Sequence, residues 1–205
     1  MKIVAGWHCP DLLTGPGNYL RKNGDAALAL SLATSRRTAI QAGGHIGTWP
    51  VMLAGEFSTV MTFEPDFENF SALAANLAER TSGNVFPARG ILGNKRRPHG
   101  LRRSPKSTGQ HRVGDGEPVP CFRIDDMGLD TVDAIFLDVE GFEIPALLGA
   151  TETIKRSRPV IMAEANKRAL DQGFRIGDLD KVLAGFGYTR AGAVGEDLIF
   201  TPGSR

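Results

Sequence analysis

The chain has 205 residues, 41% of them hydrophobic and 23% charged, with a formal net charge of +1. This composition excludes a disordered polymer, and the near-neutral balance excludes a global attraction to nucleic acid or membrane, so any electrostatic specialisation must be local. Cys9 and Cys121 lie far apart with no Cys-x-x-Cys pairing, which argues against a disulfide framework or a zinc site.

No apolar run reaches bilayer length, and the first residues lack the apolar core of a signal peptide. The expectation is a cytoplasmic protein with no membrane partner. It is read as one domain over 1–205, with an N-terminal lead and helix over 1–37 and a hairpin insertion over 90–124.

Pro10, Gly15, Pro16 and Gly17 mark a lead that could cover a cleft, and residues 25–33 read as a short apolar helix. Ile40 sits in a first strand that runs into Gly43-Gly44-His45-Ile46-Gly47, and a helix extends from there toward Ala54. Residues 60–63 form the second strand and end on Glu64. Asp66 caps a helix whose apolar side is read as Phe67, Phe70, Leu73 and Leu77, with Asn76 and Glu79 opposite.

A third strand over 85–88 leads to Arg89 and Gly90. Residues 95–112 then carry seven basic side chains, no acidic one and little hydrophobicity, the pattern of a loop or exposed hairpin. Regular structure resumes at 119–124. The run 132–138 is nearly all apolar, as for a central parallel strand buried on both faces. A helix over 144–148 accepts Pro145 in its first turn, a strand over 159–164 ends on Glu164, a helix covers 176–186, and strands over 188–191 and 197–201 close the chain. This alternation predicts an α/β, Rossmann-like doubly wound sheet with ligands at the carboxyl ends of its strands.

Those ends carry the 43–47 turn, Glu64, Gly90, Asp138-Val139-Glu140-Gly141 and Glu164. Gly43 and Gly47 can take positive φ and let backbone N–H groups approach a ligand, while Glu64 is placed to accept hydrogen bonds from ribose hydroxyls. His45 stands where a dinucleotide fingerprint needs its middle glycine, and the Gly-Lys-Ser/Thr ending of a P-loop is missing.

Taken in order, Gln41-Ala42-Gly43-Gly44-His45-Ile46-Gly47, Phe63-Glu64-Pro65 and Leu137-Asp138-Val139-Glu140-Gly141-Phe142-Glu143 resemble the FkbM-type methyltransferases of the class I S-adenosylmethionine-dependent fold. Ile124-Asp125-Asp126, Leu148-Gly149-Ala150 and Arg158-Pro159 extend the likeness over about 38–164. The resemblance implies seven strands with the last antiparallel. It also implies methyl transfer from S-adenosyl-L-methionine, typically to a hydroxyl on a small molecule, sugar or glycan.

By the same resemblance the 43–47 turn holds the methionine part, Glu64 the ribose, and Asp66, Phe67 and Gly90 surround the adenine. Asp138 faces the sulfonium and acceptor. The cofactor-binding set also takes in Gln41, Gly44, His45 and Pro65. Gln41 replaces the usual acidic residue, which removes an ionic attraction for the cofactor's ammonium, and Phe136 stands where relatives often have lysine.

A hydroxyl is a poor nucleophile near neutral pH, so a base within reach is useful: Asp138 and Glu140 are the catalytic candidates, with His45 behind them. Glu140 can equally cap the helix after Gly141. His8, His99 and His111 have no metal-ligand partners at recognisable spacing, so no metal is expected. The alternative is a non-catalytic or degenerate cofactor-site protein that binds an anionic partner such as nucleic acid through 95–112.

Overall fold

The computed structural model describes residues 1–10, 23–175 and 177–203. The lead glycines at 15 and 17, Pro16 and the first residue of the helix expected over 176–186 lie outside the described residues.

The central sheet has seven strands: β1 (Thr38–Ala42), β2 (Thr59–Glu64), β3 (Val85–Arg89), β4 (Ala134–Leu137), β5 (Val160–Glu164), β6 (Tyr188–Val194) and β7 (Asp197–Pro202). Their spatial order is β6-β7-β5-β4-β1-β2-β3. All neighbouring pairs from β5 across to β3 are parallel, and β7 runs antiparallel to both β5 and β6. The sheet is thus the seven-stranded, last-strand-antiparallel architecture expected from the sequence.

Every residue of β4 is buried, because helices cover both faces of the parallel region. The helices are α1 (Ala27–Leu32), α2 (Thr48–Ala54), α3 (Phe67–Arg80), α4 (Glu143–Leu148), α5 (Thr151–Ser157) and α6 (Asp178–Gly185). One core gathers Ile40, Ile135, Leu147, Ile154 and Ile161, and the opposite one Trp49, Leu53, Phe57, Leu73 and Phe136. Phe136 meets Trp49 and Phe57 edge-on, with ring centroids 5.8 Å and 6.4 Å apart. The residue that stands in a lysine's place is therefore a core aromatic.

Asp66 caps α3, its carboxylate accepting the Glu68 and Asn69 backbone N–H groups at 2.9 Å and 3.0 Å. The buried stripe of this helix runs through Asn69, Ala72, Leu73, Asn76 and Leu77. This corrects the sequence assignment in two places. Phe67 is 56% exposed, and Asn76 is fully buried. Asn76 belongs inside because its amide is satisfied there: Oδ1 accepts the His8 N–H at 2.8 Å, and Nδ2 donates to the carbonyls of His8 and Ile46. His8 lies in an N-terminal hairpin, Lys2–Val4 paired with Trp7–Cys9, that the sequence reading did not anticipate.

The basic stretch forms the expected hairpin, His99–Arg102 against Arg112–Val113, and a third strand extends it. His99–Arg102 is the middle strand of a three-stranded antiparallel sheet, flanked by Arg112–Val113 and Glu117–Val119. Leu101 and Val119 bury against Ile91 and give this small sheet its own core. It joins the main body through a short parallel ladder, Ile91–Leu92 with Cys121–Phe122.

Candidate functional site

The sheet order reverses between β1 and β4, and a crevice opens there at the strands' carboxyl ends. The 43–47 turn follows β1, and Asp138 follows β4. The two meet closely: a Cβ on Gly43, whose φ is +85°, would stand 1.9 Å from the Asp138 carbonyl oxygen. Only glycine fits. His45 also takes a left-handed φ of +48°, and Gly47, at +99°, caps α2 and packs against Leu73 behind the turn.

Four of the five N–H groups of this turn are committed internally. Those of Gly43 and Gly44 both donate to the Phe63 carbonyl at 3.0 Å, that of Gly47 donates to Gly44 at 2.8 Å, and that of His45 donates to Glu64 Oε2 at 2.7 Å. The expectation that the N–H groups at Gly43 and Gly47 are offered to a ligand is corrected: with these four donors used, the turn suits a cationic group better than a phosphate, which needs several free N–H donors.

Gln41 is buried just below. Its Nε2 donates to the carbonyls of Ala42 and Gly43 at 3.1 Å and 3.0 Å, and its Oε1 accepts from the Thr62 hydroxyl. A carboxylate here would face those two carbonyl oxygens without a proton to share. Glutamine braces the turn that an acid would leave to the ligand.

Glu64 is 4% exposed, and besides His45 it accepts the Asp66 N–H at 2.9 Å. Burial pushes its carboxyl up to about 7, against the lowering effect of these N–H donors. Glu143, in the first turn of α4, is similar: it accepts the Val139 and Gly141 N–H groups at 3.1 Å and 3.2 Å, and burial raises it to about 7. Both N–H groups precede α4, so Glu143 ties down the turn before the helix, and the helix-capping role considered for Glu140 is filled by neither carboxylate.

Glu140 instead holds a left-handed φ of +56° and pairs with the Arg168 guanidinium. Glu164 lies elsewhere, accepting from the Asn166 amide beside a smaller cavity that Glu143 also lines.

The main cleft takes in about 830 Å³ of space, the open solvent at its mouth included. Of the residues singled out by sequence, Gln41, Gly43, Gly44, His45, Glu64, Pro65, Gly90, Asp138 and Glu140 line it. Gly47, Asp66 and Phe67 stand outside its wall. The Asp66 carboxylate pairs with Arg103 Nε at 2.8 Å, and the Phe67 ring lies 5.4 Å beneath the Arg89 guanidinium.

The insertion supplies wall residues that sequence reasoning missed: Leu101, Thr108, His111, Arg112 and Val113. Thr108 Oγ1 lies 3.0 Å from His45 Nε2, and its carbonyl accepts from the Asn69 amide at 2.9 Å. The Ser107-Thr108-Gly109 run signals a turn, which Ser107 caps through the Gly109 N–H. Nothing local says that the turn folds back over the cleft.

Two carboxylates raised to about 7 make stability pH-dependent. Between the ordinary value of 4.5 and about 7, the folded chain keeps protons that the unfolded chain has released, so stability is greatest below that window and falls as pH rises through it. The loss expected is on the order of 2–3 kcal/mol per carboxylate. Urea midpoints at pH 5 and pH 8 should differ in the wild type, and the gap should narrow in Glu64→Gln and again with Glu143→Gln. An equal gap in all three proteins would refute it.

The donor set fits S-adenosylmethionine: a buried carboxylate for ribose hydroxyls, Asp138 and peptide carbonyls for a cation, and apolar Phe63, Ile91 and Leu92 for a purine.

The fold is shared with solved methyltransferase structures. Methyltransferase FkbM from Methylobacillus flagellatus KT matches with a TM-score of 0.60 at 20% identity, covering 81% of this chain and 43% of that one. This chain thus spans less than half of that relative. Magnesium protoporphyrin IX methyltransferase from Synechocystis PCC 6803, with S-adenosylmethionine bound, matches with a TM-score of 0.53 at 14% identity over 91% and 84% of the two chains. Precorrin-6y C5,15-methyltransferase from Geobacter metallireducens GS-15 gives 0.51 at 12% identity, over 85% of each. A search of curated proteins gave no match. The Methyltransferase FkbM domain profile, however, matches residues 41–190, from the glutamine under the turn to the sixth strand of the sheet. That span is most of the chain, and it places the protein in the FkbM-domain family of methyltransferases.

Proposed function

We propose that the protein transfers a methyl group from S-adenosylmethionine to a hydroxyl oxygen of a small molecule, sugar or glycan. The observation that carries this reading is the convergence of the Gly43 turn, Glu64 and Asp138 on one cleft at the sheet's switch point. When bound, the sulfonium supplies an already electrophilic methyl group, so the chain's contribution is alignment and exclusion of water.

In this reading the ionised Glu64 carboxylate accepts from the ribose hydroxyls. Asp138 and the carbonyls around Gly43 face the cationic end, which compensates for the charge that Gln41 lacks. Glu140, oriented by Arg168, accepts the proton of the reacting hydroxyl. The roof formed by Thr108 and His111 keeps water out.

Calorimetric titration with S-adenosylmethionine and with its demethylated product tests this. Binding should tighten several-fold from pH 6 to pH 8 in the wild type as Glu64 ionises, and the pH effect should vanish in Glu64→Gln. No heat from either ligand at millimolar concentration would rule the reading out.

A further inference from the structure

A further cavity, taking in about 620 Å³ with the open solvent at its mouth included, opens beside the cleft. Its wall carries Arg102, Arg103, Lys106, Arg112 and Arg168, and no carboxylate. Two separate segments build it, the insertion and the turn after β5 (Lys167–Gln172), and Gln172 ties them together by donating to the Val113 carbonyl at 3.2 Å. Arg112 belongs to the walls of both cavities, so they adjoin.

The cations differ in how firmly they are held. Arg103 is fixed by the buried Asp66 carboxylate. Among the described residues, Arg102 meets only the fully exposed Asp115, at 3.6 Å, and Arg112 meets the exposed Asp171, also at 3.6 Å. Such solvated pairs contribute little and yield readily to a multiply charged anion. Arg168 bridges the two cavities through Glu140.

We propose that the methyl acceptor is a phosphate ester, such as a phosphorylated sugar, whose phosphate seats among Arg102, Lys106, Arg112 and Arg168 while its hydroxyl reaches Glu140 and Asp138. This rests on the proposed function and narrows its acceptor class. A concave basin suits a compact dianion. A polynucleotide would need a continuing basic track and stacking surfaces, but the basin wall has no aromatic residue, and Arg96, outside that wall, is matched to Asp126 by two hydrogen bonds, at 2.8 Å and 2.7 Å.

The test is calorimetry at low salt with inorganic pyrophosphate as the probe, in the presence and absence of S-adenosylmethionine. Submillimolar pyrophosphate binding is expected, weakened at least tenfold in Arg102→Gln/Lys106→Gln, two positions outside the cleft wall. S-adenosylmethionine affinity should be unaltered in that variant, and Arg96→Gln should bind pyrophosphate as the wild type does. Absent pyrophosphate binding, with cofactor binding intact, would overturn this inference and leave the proposed function standing. Micromolar binding of a 20-nucleotide RNA that pyrophosphate fails to displace would overturn it in favour of a polymer surface. Pyrophosphate binding without any cofactor binding would overturn the proposed function, and with it the anion's role as acceptor.

Discussion

Gly43→Ala is expected to lose cofactor binding and about 3–5 kcal/mol of stability, whereas Gly83→Ala should lose only about 1 kcal/mol. The two glycines have nearly the same φ, +85° and +86°, so the backbone strain of adding a Cβ is the same. Their surroundings differ. At Gly83 nothing lies within 4 Å of the added atom, while at Gly43 it would overlap the Asp138 carbonyl oxygen at 1.9 Å and its carbon at 2.9 Å.

Backbone cannot rotate away as a flexible side chain can, so β1 and β4 would have to separate where they are hydrogen-bonded. The Asp138 N–H donates to the Ala42 carbonyl at 3.1 Å, and that bond is the first to go. Chemical denaturation of both variants, with cofactor titration of any folded Gly43→Ala, checks the pair. Equal destabilisation of the two would show that the contact between turn and strand end is unimportant.

The second large effect is at Glu140. A non-glycine residue at a φ of +56° is held there at a cost on the order of 1–3 kcal/mol, which its surroundings must supply. They are identifiable: Gly141 follows at +97°, Glu143 accepts N–H groups on both sides of the residue, and Arg168 takes its carboxylate. The conformation carries the side chain to the cleft wall.

Glu140→Gln keeps the shape and removes the charge, so turnover should fall about 10²–10⁴-fold with cofactor affinity within about twofold. Glu140→Gly should be inactive yet as stable as the wild type, or up to about 1 kcal/mol more so, because glycine relieves the strain. A carboxylate needed only for structure would behave the other way. Near-normal turnover in Glu140→Gln, measured with any acceptor that supports the wild type, would remove the residue from the chemistry.

What could be read from the sequence was what short stretches decide. The apolar run of β4, the Gly43 turn and the cap at Asp66 are each specified within a few residues, and their ordered spacing carried the family likeness. Harder to see were features fixed by distant partners. Phe67 fits an apolar helical stripe but faces out, because the stripe rotates to place Asn69 and Asn76 inward.

Nothing local to Asn76 announces that two carbonyls and an N–H from other segments will satisfy its amide. Likewise, the basic stretch announces its charge but not which of its residues reach the cleft. Pairing of Arg103 with Asp66, contact of Thr108 with His45 and the sharing of Arg168 with Glu140 all join residues at least 28 positions apart. The two readings of Glu140, base or helix cap, could not be separated in the sequence because they depend on the backbone's turn at Glu140 and on Arg168, 28 positions on.

The hairpin at the start of the chain has a consequence for how the folding unit should be drawn. Trp7 and Cys9 bury against Ile46, inside the glycine turn, and against Ala72 of α3. Asn76 stitches the same hairpin to the Ile46 carbonyl. The turn is therefore clamped from behind by residues that precede the family match and stand apart from the cleft wall. A protein trimmed to begin at β1 would keep every cleft residue and yet lose the backing that holds the turn in shape, so the cooperative unit is larger than the segment by which the family is recognised.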